Sequence, residues 1–204
     1  MAAQTESFYF NSWMSGFFMG QTIYCPAEGG KEMSIYFPNC EVESSMRKKI
    51  NKIAESLNSK VNYHKGTNRL IIKVSGKTLD DNMEKWSPKN ISSINFYSGL
   101  FEANFGIVIL PLKQKHKETA FRQYIKLSSS ALITRKLELC NIQYNKRRES
   151  PSIQITKLLQ IRRFIKEFPA RFFYLHQDEM LTMRRFVLAE PEDRAQICNR
   201  FNNL

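Results

Sequence analysis

Apolar positions along the chain switch between two periods, and each switch marks an element. Glu32 to Phe37 alternates, with Met33, Ile35 and Phe37 on one side and Ser34 and Tyr36 on the other, which predicts a strand. Val42 to Leu57 has helical spacing. Val42, Met46, Ile50, Ile53, Ala54 and Leu57 share a face, while Arg47, Lys48, Lys49 and Lys52 lie off it. Val61–Lys65 and Arg69–Val74 predict a hairpin around Gly66-Thr67-Asn68. Leu79 to Trp86 reads as a short helix ended by Ser87-Pro88. Ahead of all these, Phe8 to Gln21 is aromatic and apolar with interspersed small residues, a buried helix.

The same order then restarts. Ser92 to Asn104 is a second aromatic, small-residue helix, and Ile107 to Leu112 and Phe121 to Leu127 are strands. Ser128–Ser130 can cap a helix over Ala131–Leu139. A second hairpin follows, with its turn near Lys146-Arg147-Arg148 and Ser152–Thr156 returning. Leu158, Ile161, Ile165 and Phe168 make a helix face that Pro169 stops, and Asp178–Val187 and Glu192–Phe201 predict two more helices. The plan is helix, two strands, helix, two strands, helix, twice over, at an offset of 83 residues. It implies an α+β chain of two pseudo-symmetric αββαββα halves, residues 1–90 and 91–204, the second carrying the extra C-terminal helices.

The helices that open each half are the most informative segments. Trp13-Met14-Ser15-Gly16-Phe17-Phe18-Met19-Gly20-Gln21-Thr22 aligns with Phe96-Tyr97-Ser98-Gly99-Leu100-Phe101-Glu102-Ala103-Asn104-Phe105. Small residues at helical spacing let two backbones approach closely, so Ser15, Gly16 and Gly20 are expected to face Ser98, Gly99 and Ala103. These two motifs, with the same elements following each, resemble the LAGLIDADG homing endonucleases in their single-chain, two-repeat form. The resemblance spans about residues 8–190, and Leu175 to Phe186 looks like that family's closing helix.

The resemblance implies two saddle-shaped antiparallel sheets that bind a long duplex. It also implies that each motif helix ends in an acid at the saddle floor, where the two carboxylates hold divalent cations for phosphodiester hydrolysis. Here those positions are Gln21 and Asn104. Amides bring no negative charge to a divalent ion, so metal-dependent cleavage is expected to be lost, with no catalytic residue, metal or other cofactor. Glu102 lies two residues earlier, on another helix face, and its first-half counterpart is Met19. A divergent endonuclease drawing its acids from elsewhere, for example Glu28 or Glu102, is the enzymatic alternative. The strand Ile107 to Leu112 also departs from the pattern, being apolar on both faces. The simplest expectation is a strand covered on both sides. Either a protein partner packs there, or the groove no longer accepts duplex DNA.

Charge sharpens the picture. The 204 residues hold 31 Lys and Arg against 19 Asp and Glu, a formal net charge of +12, and residues 113–185 alone hold 17 basic and 6 acidic residues. Such a balance points to a polyanion. No run of 18 apolar residues exists, so no membrane span is expected. Cys25, Cys40, Cys140 and Cys198 lack metal or disulfide spacing and read as ordinary thiols. His64, His116 and His176 join no metal-spaced cluster. The candidate nucleic-acid contacts are Lys65, Arg69 and Lys73 in the first half. In the second they are Lys113, Lys115, His116 and Lys117 in a loop, and Arg122, Tyr124 and Lys126 on one strand face. Lys146, Arg147 and Arg148 in a turn, and Arg162 and Arg163 on a helix, complete the set.

The expectation from these features is a catalytically inactive, homing-endonuclease-derived RNA-binding protein. Its preferred role is a structural one in an organellar ribosome, on ribosomal RNA among other ribosomal proteins. A maturase-like splicing cofactor bound to intron RNA, or a duplex-DNA regulator, is the alternative. Met1–Ser7 holds no Lys or Arg, unlike a signal or transit peptide, and the family's genes commonly sit in organellar genomes. The first leaves a cytosolic protein, one made inside an organelle, or a sequence without its presequence, and the resemblance then favours the mitochondrion, with the chloroplast second. No membrane and no homo-oligomer is required.

Overall fold

The computed structural model describes residues 2–24, 32–78, 93–112, 120–146 and 150–202. The first half holds α1 (Ala2–Tyr24), β1 (Glu32–Pro38), α2 (Ser45–Ser56), β2 (Val61–His64) and β3 (Arg69–Ser75). The second holds α3 (Ile94–Glu102), β4 (Gly106–Leu112), β5 (Ala120–Ser128), α4 (Ala131–Leu139), β6 (Asn145–Lys146), β7 (Ser152–Ile155) and α5 (Leu158–Glu167). Helices α6 (Gln177–Leu188) and α7 (Pro191–Asn202) close the chain. Two antiparallel sheets result, ordered β1-β3-β2 and β4-β5-β7-β6. The chain is therefore α+β, as its pattern predicts. The helix expected over Leu79–Trp86 lies outside the described residues.

Local chemistry explains why the halves repeat. Ser44, Ser93 and Ser130 sit extended before their helices, and each hydroxyl accepts the backbone N–H three residues on. Past the other end of α2, Asn58 turns left-handed (φ 49°), and past α4 Asn141 does the same (φ 53°). Ser59 N–H then reaches Ala54 O at 2.9 Å and Ile142 N–H reaches Leu137 O at 2.8 Å. Both stops are the same 6→1 closure, 83 residues apart. One expectation is corrected: α2 begins at Ser45, and Val42 lies before it, 77% exposed. The Ser44 cap sets the start, so an apolar residue at matching spacing falls in the loop.

Each sheet is covered by helices on one face. Met33, Ile35, Phe37, Leu70, Ile72 and Val74 pack against α1 and α2 through Phe17, Phe18, Ile50 and Ile53. Ile125, Leu127, Ile153 and Ile155 pack against α3 to α6 through Phe96, Leu137, Ile161, Phe164 and Met183. The halves are stitched at their joint, since Leu175 from the second half is buried in the first cluster while Met19 packs on the second. At the free edge of β4, Asn202 Nδ2 donates to Ile109 O at 3.1 Å, so α7 pairs a carbonyl the sheet leaves open. Cys40, Cys140 and Cys198 are free thiols, and Cys25 is outside the described residues. No helix among the described residues is long and apolar enough to cross a membrane.

Candidate nucleic-acid interface and motif floor

Helices α1 and α3 meet through bare backbone. A Cβ on Gly16 would lie 1.9 Å from the Phe96 carbonyl oxygen, and one on Gly99 would lie 2.0 Å from the Trp13 carbonyl oxygen. The two contacts interchange under the 83-residue offset, as a two-fold relation between halves requires. Gly20 and Ala103 are a third equivalent pair, with a Cβ on Gly20 falling 2.4 Å from the Ala103 methyl. Ser15 and Ser98 are buried on the same helices. Ser15 Oγ donates to Asn11 O at 3.2 Å, and Ser98 Oγ is buried with no partner among the described residues.

Just beyond this crossing lie Gln21 and Asn104. Gln21 Nε2 donates to Ala103 O at 3.0 Å. The equivalent acceptor for Asn104 is the Gly20 carbonyl, but Asn is one methylene shorter, and its buried Nδ2 has no partner among the described residues. The donor set is two neutral amides, one already engaged through its nitrogen. It does not fit a pair of divalent cations, which need carboxylate charge in a site of this kind. Among the described residues no group of three His, Cys, Asp or Glu side chains could hold a metal.

Glu102 has another task. Its carboxylate, 3% exposed, accepts from Trp13 Nε1 and from the backbone N–H groups of Tyr174 (2.8 Å), Leu175 (2.7 Å) and His176 (2.6 Å). His176 Nδ1 stands 3.2 Å away. The side chain thus ties α3 to α1 and to the loop entering α6, and both oxygens are saturated by protein donors. Nothing in the sequence marks this, because the partners lie 72 to 89 residues away. Glu28 lies outside the described residues.

The sheet faces turned away from the helices carry the cations. Strand alternation and register put Arg69 and Lys73 on that face of the first sheet, with Tyr36, Asn62 and His64 as neighbours. They put Arg122, Tyr124 and Lys126 on that face of the second, beside Gln154. The Arg122 guanidinium sits 5.6 Å from the Tyr124 ring centroid. Lys65 lies in the β2–β3 turn and Lys146 on the far edge strand. Lys113, Lys115, His116, Lys117, Arg147 and Arg148 are outside the described residues.

One sequence expectation changes here, and two more candidate contacts are placed. Strand β4 is covered on one side only. Ile109 is buried beneath α7, whereas Leu110 and Leu112, which register beside Arg122 and Ala120 on the opposite face, are 45% and 43% exposed. The closing helices pack on a single face, so an all-apolar strand leaves half its side chains on the surface among the described residues. Arg162 and Arg163 stand on the helix side, away from the cationic face. Arg162 donates through Nε (2.8 Å) and Nη2 (2.5 Å) to Val187 O, and Arg163 donates to Asn141 O. Both guanidiniums satisfy carbonyls near helix ends of the chain itself.

Solved structures with this arrangement are homing endonucleases. One, I-SmaMI bound to an uncleaved DNA target in the presence of calcium ions, superposes with a TM-score of 0.57 at 9% identity. It covers 94% of this chain and 98% of that one. The I-LtrWI LAGLIDADG homing endonuclease bound to target DNA gives 0.55 at 12% identity, covering 94% and 97%. The fold is that of the LAGLIDADG homing endonucleases. No protein-family model and no curated protein matches the sequence. The LAGLIDADG likeness at such identity is a likeness of fold.

Proposed function

We propose that this chain is a LAGLIDADG-fold protein that binds nucleic acid without cutting it, held on RNA as a structural component of an organellar, preferentially mitochondrial, ribosome. The observation that carries the reading is the motif floor. Gln21 and Asn104 supply amides in place of carboxylates, and Glu102 is locked to five donors. Without a metal-holding pair the saddle retains charge but no means of activating water. Arg69, Lys73, Arg122 and Lys126 keep the outer faces suited to a phosphate backbone. Leu110 and Leu112, exposed beside Arg122, suit a surface packed against protein or RNA in a larger particle.

Two experiments test this. A native extract is run on a sucrose gradient with Mg²⁺, with and without RNase. Sedimentation with a ribosomal subunit that withstands moderate salt is expected, and movement only with intron-containing RNA selects the splicing cofactor instead. Plasmid DNA is incubated with the protein and Mg²⁺ or Mn²⁺. Double-strand cutting that disappears in Gln21→Ala overturns the non-cutting reading. A second reading, duplex-DNA binding, is favoured by the neighbours I-SmaMI and I-LtrWI, both solved on DNA. Sequence-specific duplex binding at physiological salt would establish it.

A further inference from the structure

A cleft of about 400 Å³ opens on the helix side of the molecule, between α1, α2, α3 and the approach to α6. Its wall is aromatic. Phe10 packs edge-on to Tyr174 at 5.2 Å between centroids, and Trp13 lies 5.0 Å from Tyr174. Its rim is cationic. Lys52 Nζ stands 4.9 Å from the Phe10 centroid, Lys49 Nζ stands 5.8 Å from that of Tyr174, and the Arg171 guanidinium stands 4.9 Å from that of Phe172. Lys49 and Lys52 are one turn apart on α2, so their like charges repel. None of the three cations is in an ion pair among the described residues, and no carboxylate is among the described residues that line the cleft. The Tyr174 phenol in its wall feels the charge of Glu55.

A second observation points inward. Asn95, in the first turn of α3, lines the cleft at only 7% exposure, and its side-chain amide has no hydrogen-bond partner among the described residues. The amide brings donor N–H groups and an acceptor oxygen to the cleft wall. The Trp13 indole N–H is already committed to Glu102, so it cannot serve. The cleft therefore offers a wall of mutually inclined aromatic rings, an amide donor and acceptor, and three cations with no ion pair among the described residues. One ligand class matches all three at once, a planar heterocycle with polar edges joined to a phosphate.

We propose that this cleft binds a single nucleotide, its base against Phe10 and Tyr174 with its edge read by Asn95, and its phosphate between Lys49, Lys52 and Arg171. The volume suits a ligand of that size. Resting on the RNA-binding reading above, the nucleotide is an unpaired one in an RNA strand, since such bases are splayed onto aromatic side chains in single-stranded recognition. The site is then a second anchor, on the opposite side from the cationic sheet faces.

The test is fluorescence anisotropy of the full chain with a labelled single-stranded RNA 12-mer. The variants are Lys49→Glu/Lys52→Glu, Asn95→Leu, the charge-matched control Lys48→Glu/Lys60→Glu, and the sheet-face variant Arg122→Glu/Lys126→Glu. The lysines of the first variant sit on the helix surface, so folding is retained there even if Asn95→Leu packs badly. The expected result is a loss of at least about tenfold in both cleft variants and less than about threefold in the control. Competition by adenosine monophosphate but not by phenyl phosphate, which lacks a polar ring edge, is also expected. Cleft variants that match the control, or phenyl phosphate that competes equally, overturn the proposal. If only the sheet-face variant weakens binding, the cleft proposal falls and the RNA-binding reading stands. If the wild type binds no nucleic acid, both fall. If the mononucleotide binds and the 12-mer does not compete with it, the cleft still holds a nucleotide, drawn from the free pool.

Discussion

Replacing Glu102 by glutamine should cost the molecule about a third of its stability. The carboxylate is enclosed by donors only: three backbone N–H groups, the Trp13 indole and the edge of His176. A glutamine of the same shape must turn its NH₂ toward one side of that cage. Facing Tyr174 and Trp13, it orphans two buried N–H groups; facing Leu175 and His176, it orphans two others. Each orphaned donor costs about 1–3 kcal/mol, and the surviving bonds lose their charge assistance. The sum is about 4 kcal/mol, against a stability of about 5–15 kcal/mol for a domain. For a chain of this length that lowers Tm by about 8–16 °C. Thermal unfolding followed by circular dichroism reads it directly. Limited proteolysis should show the segment after residue 170 released first, because the lost bonds hold the loop entering α6. A Glu102→Gln protein melting within about 2 °C of the wild type would refute the cage as a structural tie.

Further expectations follow from the same geometry. Gly99→Ala drives a methyl into the Trp13 carbonyl, a backbone atom that cannot step aside, so a loss of at least about 3 kcal/mol is expected, and an equilibrium denaturation change below about 1 kcal/mol refutes the close crossing. Gln21→Glu combined with Asn104→Asp restores two carboxylates at the floor, and calorimetry should show Mn²⁺ bound by the double variant far more tightly than by the wild type. Arg122→Ala and Lys126→Ala should each reduce the salt slope of nucleic-acid affinity by about 0.7–0.9 if each contacts one phosphate, and unchanged slopes remove that face from the interface. Burial, with the charge of Glu55 adding to it, pushes the Tyr174 phenol up to about 12. The neutral phenol is thus favoured in the fold. Its contribution is complete below about pH 10 and is lost as pH rises toward 12, a decline that Tyr174→Phe should remove from an alkaline unfolding titration.

Much of this architecture is written in short-range signals. Small residues at Gly16, Gly20, Gly99 and Ala103 announce a close helix crossing, and the serines at 128–130 announce a helix start, whereas the Ser44 and Ser93 caps show only in the structure. Alternation places Arg122, Tyr124 and Lys126 on one strand face, and register then seats them beside Val108 and Leu110. These signals act within a turn of helix or across a hairpin, so neighbours in the chain suffice to read them. The amides at Gln21 and Asn104 are equally plain in the aligned motifs.

What the sequence could not show depends on segments that meet only after the chain has folded. Glu102 reads as a spare acid until the loop at 174–176 folds over it. Arg162 and Arg163 read as polyanion contacts, and only the fold shows that each also donates to a carbonyl of the chain, Val187 and Asn141. The apolar strand β4 reads as doubly covered until α7 is seen to take one face and edge, leaving Leu110 and Leu112 outside. The aromatic and cationic cleft joins residues from α1, α2, α3 and the approach to α6, and no pattern along the chain links Phe10, Lys52, Asn95 and Tyr174. Period and capping determine elements and their faces, because both arise from local backbone geometry. Which polar group meets which is decided by tertiary packing, where the cost of an unpaired buried donor selects partners dozens of residues apart.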